Sequence, residues 1–316
     1  MTEPTINEIR EARSRIGQHV HRTPVLTCRT LDRVCDAEVF FKCENFQKVG
    51  AFKTRGATNA VFSLGEDEVK RGVATHSSGN HAAAVALAAR RRGVPAYIVM
   101  PETVPRVKVD AVRGYGAEIV FCEPTLKARE KGLAGVVNRT GAMFIHPYND
   151  YRVIAGQGTA ALEFCEEVSD LDVVMAPVGG GGLLSGTAIA VAAVSPGTRV
   201  IAAEPEGADD AYRSFRSGVL VPSRDPRTIA DGLLTSLGDL TFPIIKRLVN
   251  DIVTVGDEEI VAAMRMIWER MKIIVEPSAA VPLAALQTRR GVVKERRIGI
   301  ILTGGNVDLG NLPWNS

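Results

Sequence analysis

The sequence holds no apolar run long enough to cross a bilayer, and its start, "MTEPTINEIREARSRIGQHV", lacks the hydrophobic segment of a secretion signal. Those absences point to a cytoplasmic protein without a membrane partner. An excess of either charge is missing too: 38 basic against 36 acidic residues leave a formal charge of +2. No segment gathers Lys and Arg as a nucleic-acid surface requires. The triplet Arg90, Arg91 and Arg92 reads as the exposed end of a helix, where cations offset the helix dipole. Five cysteines, Cys28, Cys35, Cys43, Cys122 and Cys165, are odd in number and form no CxxC pair, so neither a zinc site nor a disulfide framework is expected. They read as reduced, mostly buried thiols. Low-complexity tracts and internal repeats are also absent.

What is present is an alternation of short β-branched runs with Ala-rich helical runs over 316 residues that are 46% apolar. This pattern predicts an α/β protein with parallel sheets. "GVATHS", "PAYIVMP" and "AEIVFC" read as strands separated by the helices "GNHAAAVALAARRRG" and "VPRVKVDAVRGYG". A second series holds the strands "DVVMAPV", "RVIAAEP", "DIVTV" and "RIGIILTGG", with the helices "IAGQGTAALEFCEEV", "LLSGTAIAVAAV" and "DEEIVAAMRMIWERMK". The early strand "AEVFFKCEN" joins this larger sheet. The expected organisation is a large domain of residues 1–66 and 150–316 and a small domain of 67–149, each an open twisted sheet flanked by helices, with the site in the cleft between them.

Three segments carry chemistry. In "PVGGGGLLSG" a strand runs through Gly179, Gly180, Gly181 and Gly182 into a helix beginning near Leu183. Four glycines cost backbone entropy, and they let a phosphate approach the N–H groups of a helix start. The loop fits neither a dinucleotide nor a nucleoside-triphosphate pattern, which leaves a small phosphorylated cofactor. In "THSSGNHAAAV" the residues Ser77, Ser78, Gly79, Asn80 and His81 put hydroxyls, an amide and N–H groups at another helix start, suited to a carboxylate. In "IILTGGN" Thr303 offers a neutral hydroxyl at a strand end, where ligand crevices lie in parallel sheets. Together with Lys53 in "KVGAFKTRGA" these suggest a pyridoxal 5'-phosphate site, with Lys53 forming the Schiff base. Gly50 and Gly56 read as glycines that bring the backbone close to the cofactor.

"AFKTRGA", "SSGNH", "GGGGL", "EPSAA" and "LTGGN", in that order, resemble the fold-type II pyridoxal-phosphate enzymes, which share the tryptophan synthase β fold. The similarity runs from about residue 20 to 308 and is to the serine/threonine dehydratase and serine racemase group, 3-hydroxyaspartate ammonia-lyases included. The resemblance implies that Lys53 carries the cofactor and handles the substrate proton, while Phe52 flanks the ring. Asn80 would bond the phenolic oxygen, residues 179–182 with Leu183 would hold the phosphate, and Thr303 would face the pyridine nitrogen. The turn of Ser77, Ser78, Gly79, Asn80 and His81 would receive the substrate carboxylate, with Ser78 as acid/base on the face opposite Lys53. Glu276 would lie near the ring or cap the helix after it, His146 would serve packing or hydrogen bonding at the hinge, and Thr235 would be a pocket hydroxyl.

In "EPEGADD" two carboxylates around a turn form a candidate hard-cation site. The resemblance implies Glu204, the carbonyl of Ala208, and Asp210 as ligands of Mg²⁺, or of Mn²⁺ or Ca²⁺. Thr54 and Arg55 after the lysine differ from the pattern of the β-replacement synthases, which favours elimination. The chain ends eleven residues after Gly305, so no regulatory domain is expected. The expected protein is therefore a lyase, a dehydratase that takes water from serine, threonine or 3-hydroxyaspartate and yields a 2-oxo acid and ammonia. The alternatives are a serine racemase and a non-catalytic binder of a phosphorylated metabolite, and the resemblance implies a homodimer.

Overall fold

The computed structural model describes residues 2–104, 106–288 and 296–314. The chain begins with α1 (Ile6–Ile16), β1 (Val25–Thr27), α2 (Arg29–Cys35), β2 (Glu38–Cys43) and α3 (Lys53–Phe62). Next come α4 (Glu66–Val69), β3 (Val73–His76), α5 (Asn80–Arg92), β4 (Ala96–Pro101), α6 (Arg106–Gly114), β5 (Glu118–Cys122), α7 (Leu126–Thr140) and β6 (Met143–Phe144). Then follow α8 (Tyr151–Glu167), β7 (Val173–Pro177), α9 (Gly182–Val194), β8 (Arg199–Pro205) and α10 (Asp210–Ser217). The last are α11 (Thr241–Leu248), β9 (Asp251–Val255), α12 (Asp257–Met271), α13 (Pro277–Thr288) and β10 (Arg297–Leu302).

The strands form two sheets, ordered β1-β2-β10-β7-β8-β9 and β5-β4-β3-β6. Every pairing is parallel except that of β1 with β2. The fold is thus α/β, and "AEVFFKCEN" supplies β2 beside the central β10. Apolar layers cover both faces of the larger sheet, one including Met175, Ile300 and Val281, the other Val174, Ile301 and Leu184. Each fully buried branched side chain contributes about 1.5–3 kcal/mol relative to exposure.

Arg90, Arg91 and Arg92 do close α5, ahead of Gly93 in the left-handed region. They are less free than solvated charges: Arg90 bonds the Gly114 carbonyl, Arg91 that of His19, and Arg92 those of Val61 and Leu64. Cys35 and Cys43 are buried, whereas Cys28, Cys122 and Cys165 are half-buried, so the thiols lie nearer the surface than expected.

Helix α8 is the spine that positions the site. A Cβ on Gly156 would stand 2.7 Å from the Arg55 carbonyl of α3, and one on Gly158 would stand 2.8 Å from the Gly186 carbonyl of α9. Only bare glycine faces allow both approaches, so α8 fixes the helices that begin at Lys53 and at Gly182. Gly56 takes part in the first crossing, with Val153 O at 2.8 Å from a built Cβ. Its role is helix packing, which corrects the expectation of a turn glycine at the cofactor.

A buried charge network locks the same crossing. Arg55 Nε and Nη2 donate to Glu44 at 2.7 and 2.8 Å, and its two Nη atoms donate to Glu163, each at 2.8 Å. Lys42 donates to Glu163 at 2.9 Å and to the Thr23 carbonyl at 2.7 Å. Two cations balance two carboxylates, and the bidentate geometry offsets their desolvation.

Candidate active site

Strand β2 ends ten residues before Lys53, not beside it, and two tight turns fill the gap. Val49 at φ 57° and Gly50 at φ 70° reverse the chain there. The returning segment is stitched to the end of β10: Phe52 N–H donates to the Thr303 carbonyl at 2.9 Å, and Gly305 N–H to the Gly50 carbonyl at 2.9 Å. Two of the sequence segments thereby become one surface. Lys53 opens α3, with Nζ donating to the Pro147 carbonyl at 2.9 Å and lying 5.1 Å from the Phe52 ring centre. Burial lowers the Lys53 ammonium from 10.5 to about 8, with Glu276 opposing part of that drop.

The turn after β3 lies near enough to this lysine for its charge to act on His81. Helix α5 starts at Asn80 without a side-chain cap or an acidic residue in its first turn, so its first N–H groups are open to an anion. Ser77, Ser78, Gly79 and Asn80 are half-buried, and the Gly79 N–H reaches Ser77 Oγ at 3.3 Å. The His81 ring is buried, meets the Ile145 carbonyl through Nε2 at 3.1 Å, and is held neutral by burial and by Lys53. Only Nε2 is committed there, since Nδ1 is buried without a hydrogen-bond partner.

The Asn80 amide is oriented on two sides. Its Nδ2 donates to Glu276 Oε1 at 2.9 Å, and its Oδ1 accepts from Asn306 Nδ2 at 2.8 Å. Asn306 N–H also donates to Glu276 Oε2 at 3.2 Å. Glu276 is buried, and burial pushes its carboxyl up to about 7, against the pull of the Asn80 hydrogen bond. Of the two readings for Glu276, a place beside the lysine and Asn80 is the one observed. Asn306 was quoted within "LTGGN" yet assigned nothing, although a polar residue following a glycine turn at a strand end was a usable signal.

The glycine loop leads from β7 into α9. Gly181 has φ 87°, and a Cβ there would stand 2.8 Å from Ile245 and 2.9 Å from Leu237. Gly179 packs 3.0 Å from the Leu233 backbone by the same measure, and Leu183 is buried. Helix α9 also lacks a side-chain cap and an acidic first turn. The Tyr148 ring lies so close to Gly180 that any side chain there would overlap it. Tyr148 therefore covers the loop, and its phenol meets the Thr235 hydroxyl. Sequence reasoning passed over it in "IHPYND". His146 has a hydrogen-bonding role, its Nδ1 accepting from Asn149 N–H at 2.9 Å, and burial takes it down to about 4. Arg129 was also passed over. Its Nε is buried without a hydrogen-bond partner, and its charge acts on His76 and Tyr148.

At the acidic turn, Glu204 accepts from Ala211 N–H at 2.9 Å and Tyr212 N–H at 2.7 Å, and so holds the start of α10. Burial raises Glu204 to about 9 and Asp210 to about 6, the latter eased by Ser223 and by the Leu237 backbone. Both Asp210 oxygens lack a hydrogen bond of normal geometry, and Ala208 is buried beside them in the intervening turn. Among the described residues no group of three or more His, Cys, Asp or Glu side chains could hold a metal. Nor is any described helix long and apolar enough to cross a membrane.

The features fit a phosphorylated pyridine aldehyde. Thr303 Oγ1 is buried and without a partner, Lys53 supplies an amine of lowered basicity, and an uncapped helix start follows glycines that admit no side chain. A family model described as pyridoxal-phosphate dependent enzyme matches residues 16–304. The chain is 53% identical over 312 residues to the β-hydroxyaspartate dehydratase of Paracoccus denitrificans, covering 99% of each. It is 50% identical over 317 residues to the serine racemase of Dictyostelium discoideum, covering 99% of this chain and 98% of the other. The solved structure of maize serine racemase superposes with a TM-score of 0.96 at 47% identity, covering 99% of this chain and 97% of that one.

Proposed function

Because the chain belongs to the pyridoxal-phosphate dependent enzyme family, we propose that it is an ammonia-lyase removing water from a small β-hydroxy-α-amino acid: serine, threonine or 3-hydroxyaspartate. The products are a 2-oxo acid and ammonia. The observation that carries this reading is the buried Lys53 amine, lowered to about 8, next in sequence to Phe52, whose N–H is bonded to the carbonyl of Thr303 with its unpartnered buried hydroxyl. When bound, the cofactor supplies an electron sink for the α-carbon.

Residues 179–182 and Leu183 bind its phosphate through N–H groups, with Phe52 beside its ring. Asn80, whose Nδ2 donates to both oxygens of Glu276 and whose Oδ1 accepts from Asn306, is held in place to orient the phenolic oxygen. Thr303 offers a hydroxyl in place of a carboxylate, an arrangement suited to elimination. The 77–81 turn binds the substrate carboxylate. Lys53 Nζ takes the α-proton and passes it to the hydroxide departing from Cβ, which leaves as water; the released enamine takes up one water and gives the 2-oxo acid and ammonia. Ser78 stands as the acid/base of the opposite face. Positioning of this kind supplies much of the acceleration.

Arg129, with its buried unpartnered Nε, supports 3-hydroxyaspartate, whose second carboxylate it would pair, and the relation to a β-hydroxyaspartate dehydratase supports the same choice. The second reading is serine racemase, favoured by Ser78 and by the Dictyostelium and maize relatives. Incubating the holoenzyme with L-serine and the 3-hydroxyaspartate isomers, with 2-oxo acid and D-serine both measured, tests the two. Accumulation of D-serine without 2-oxo acid would reject the lyase.

The proposal extends to a divalent cation at Glu204, Ala208 and Asp210, supported by the bare Asp210 oxygens. It also includes a small domain of 67–149, supported by the confinement of β3, β4, β5 and β6 to that stretch. A homodimer is supported by exposed Phe46 and Ile274, joined through Asn45 Nδ2 bonding the Ile274 carbonyl at 3.0 Å.

A further inference from the structure

Lys108 projects from α6, which packs on α5 and so belongs with the smaller sheet. Its Nζ is 2.8 Å from Asp231 Oδ2, in the turn Asp231–Leu233 that packs against α13 of the larger sheet. The pair therefore spans the cleft. The same ammonium lies 3.9 Å from the point a Cβ on Gly79 would occupy, which puts it against the turn assigned to the substrate carboxylate. Glu276 senses both members, raised by Asp231 and lowered by Lys108, so the pair also borders Asn80 and Lys53.

The two partners are unequal. The Asp231 side chain is 58% exposed and that of Lys108 is 28% exposed. An ion pair with one well-hydrated member adds little to stability. A carboxylate bound in the 77–81 turn would sit in a drier place and offer Lys108 a stronger, charge-assisted hydrogen bond. We propose that Lys108 is a substrate-binding residue that exchanges Asp231 for the carboxylate of the incoming amino acid. Asp231 then holds the ammonium at the mouth of the site and competes with substrate for it. This rests on the reading of the 77–81 turn as a carboxylate seat.

Competition gives the two substitutions opposite signs. Lys108→Met raises KM about tenfold for the preferred amino acid with kcat within about twofold, the pattern of a lost binding contact. Asp231→Asn lowers KM about threefold, because the ammonium is no longer engaged. The double variant matches Lys108→Met, Lys108→Arg restores most of the affinity, and Arg106→Gln, two residues away on α6 and so on another face, changes nothing. Visible-spectrum titration of the holoenzyme with L-alanine, which has no leaving group, reads the same shifts without turnover. If Lys108→Met leaves both KM and L-alanine affinity within twofold, or if Asp231→Asn weakens binding as Lys108→Met does, the exchange is wrong and the pair is a structural clasp. Wild-type protein that turns over no β-hydroxy amino acid refutes the lyase reading, whereas normal turnover without the opposed signs refutes only the exchange.

Discussion

An amine that must form a covalent bond with an aldehyde has to be neutral, and burial brings the loss of the Lys53 proton down toward ordinary pH. Its folded value lies below 10.5, so the neutral fraction grows as pH rises through about 8. The rate at which cofactor-free protein captures pyridoxal 5'-phosphate should rise with pH to a midpoint near 8 and level off above it. Stopped-flow absorbance across the pH range checks this, and a midpoint near 10.5 would mean a hydrated lysine. Because Glu276 holds the ammonium up, Glu276→Gln should move that midpoint lower still. The lysine, Asn80 and Thr303 were legible because their chemistry is tied to short ordered segments. Tyr148 and Arg129 were not, since each reaches the site by a packing direction that chain spacing does not encode: Tyr148 lies over Gly180, thirty-two residues on.

At the scale of elements, α8 sets where the site helices cross. Gly156→Ala would press a methyl into the Arg55 carbonyl and Gly56 Cα, each 2.7 Å from the built Cβ. Overpacking of this kind should cost about 1–3 kcal/mol and reduce turnover by shifting Lys53. Gly135→Ala on α7, with nothing within 4 Å, should instead leave the melting temperature unchanged or raised. Differential scanning calorimetry separates the two. The alternation of strand and helix was readable because parallel strands buried on both faces carry continuous β-branched runs, as "RIGIILTGG" does for β10. The antiparallel β1 and the two-residue β6 were missed, being too short to show a period. Gly56 was misread because a glycine before a helix crossing and a glycine in a turn look alike until α8 is in place.

Across the whole molecule, the network of Lys42, Glu44, Arg55 and Glu163 ties β2, α3 and α8 into one frame. Arg55→Met would strand two buried carboxylates beside one remaining cation, at a cost of about 3–5 kcal/mol measurable by denaturant unfolding. This frame was not legible from spacing, since the partners of Arg55 lie 11 and 108 positions away. The proposed cation acts at the same scale. Mg²⁺, Mn²⁺ or Ca²⁺ should raise the melting temperature of the protein and of its Ala57→Gly control alike, and Asp210→Asn should abolish the rise, by the ordinary linkage of binding to folding.

The proposed chemistry turns on Lys53. Borohydride reduction of the cofactor-loaded protein, followed by digestion and mass spectrometry, tests that most directly. The account predicts one reduced pyridoxyl-phosphate group per chain, attached to Lys53 and lost in Lys53→Ala. Label on another lysine, or reversible binding with no label at all, would contradict it.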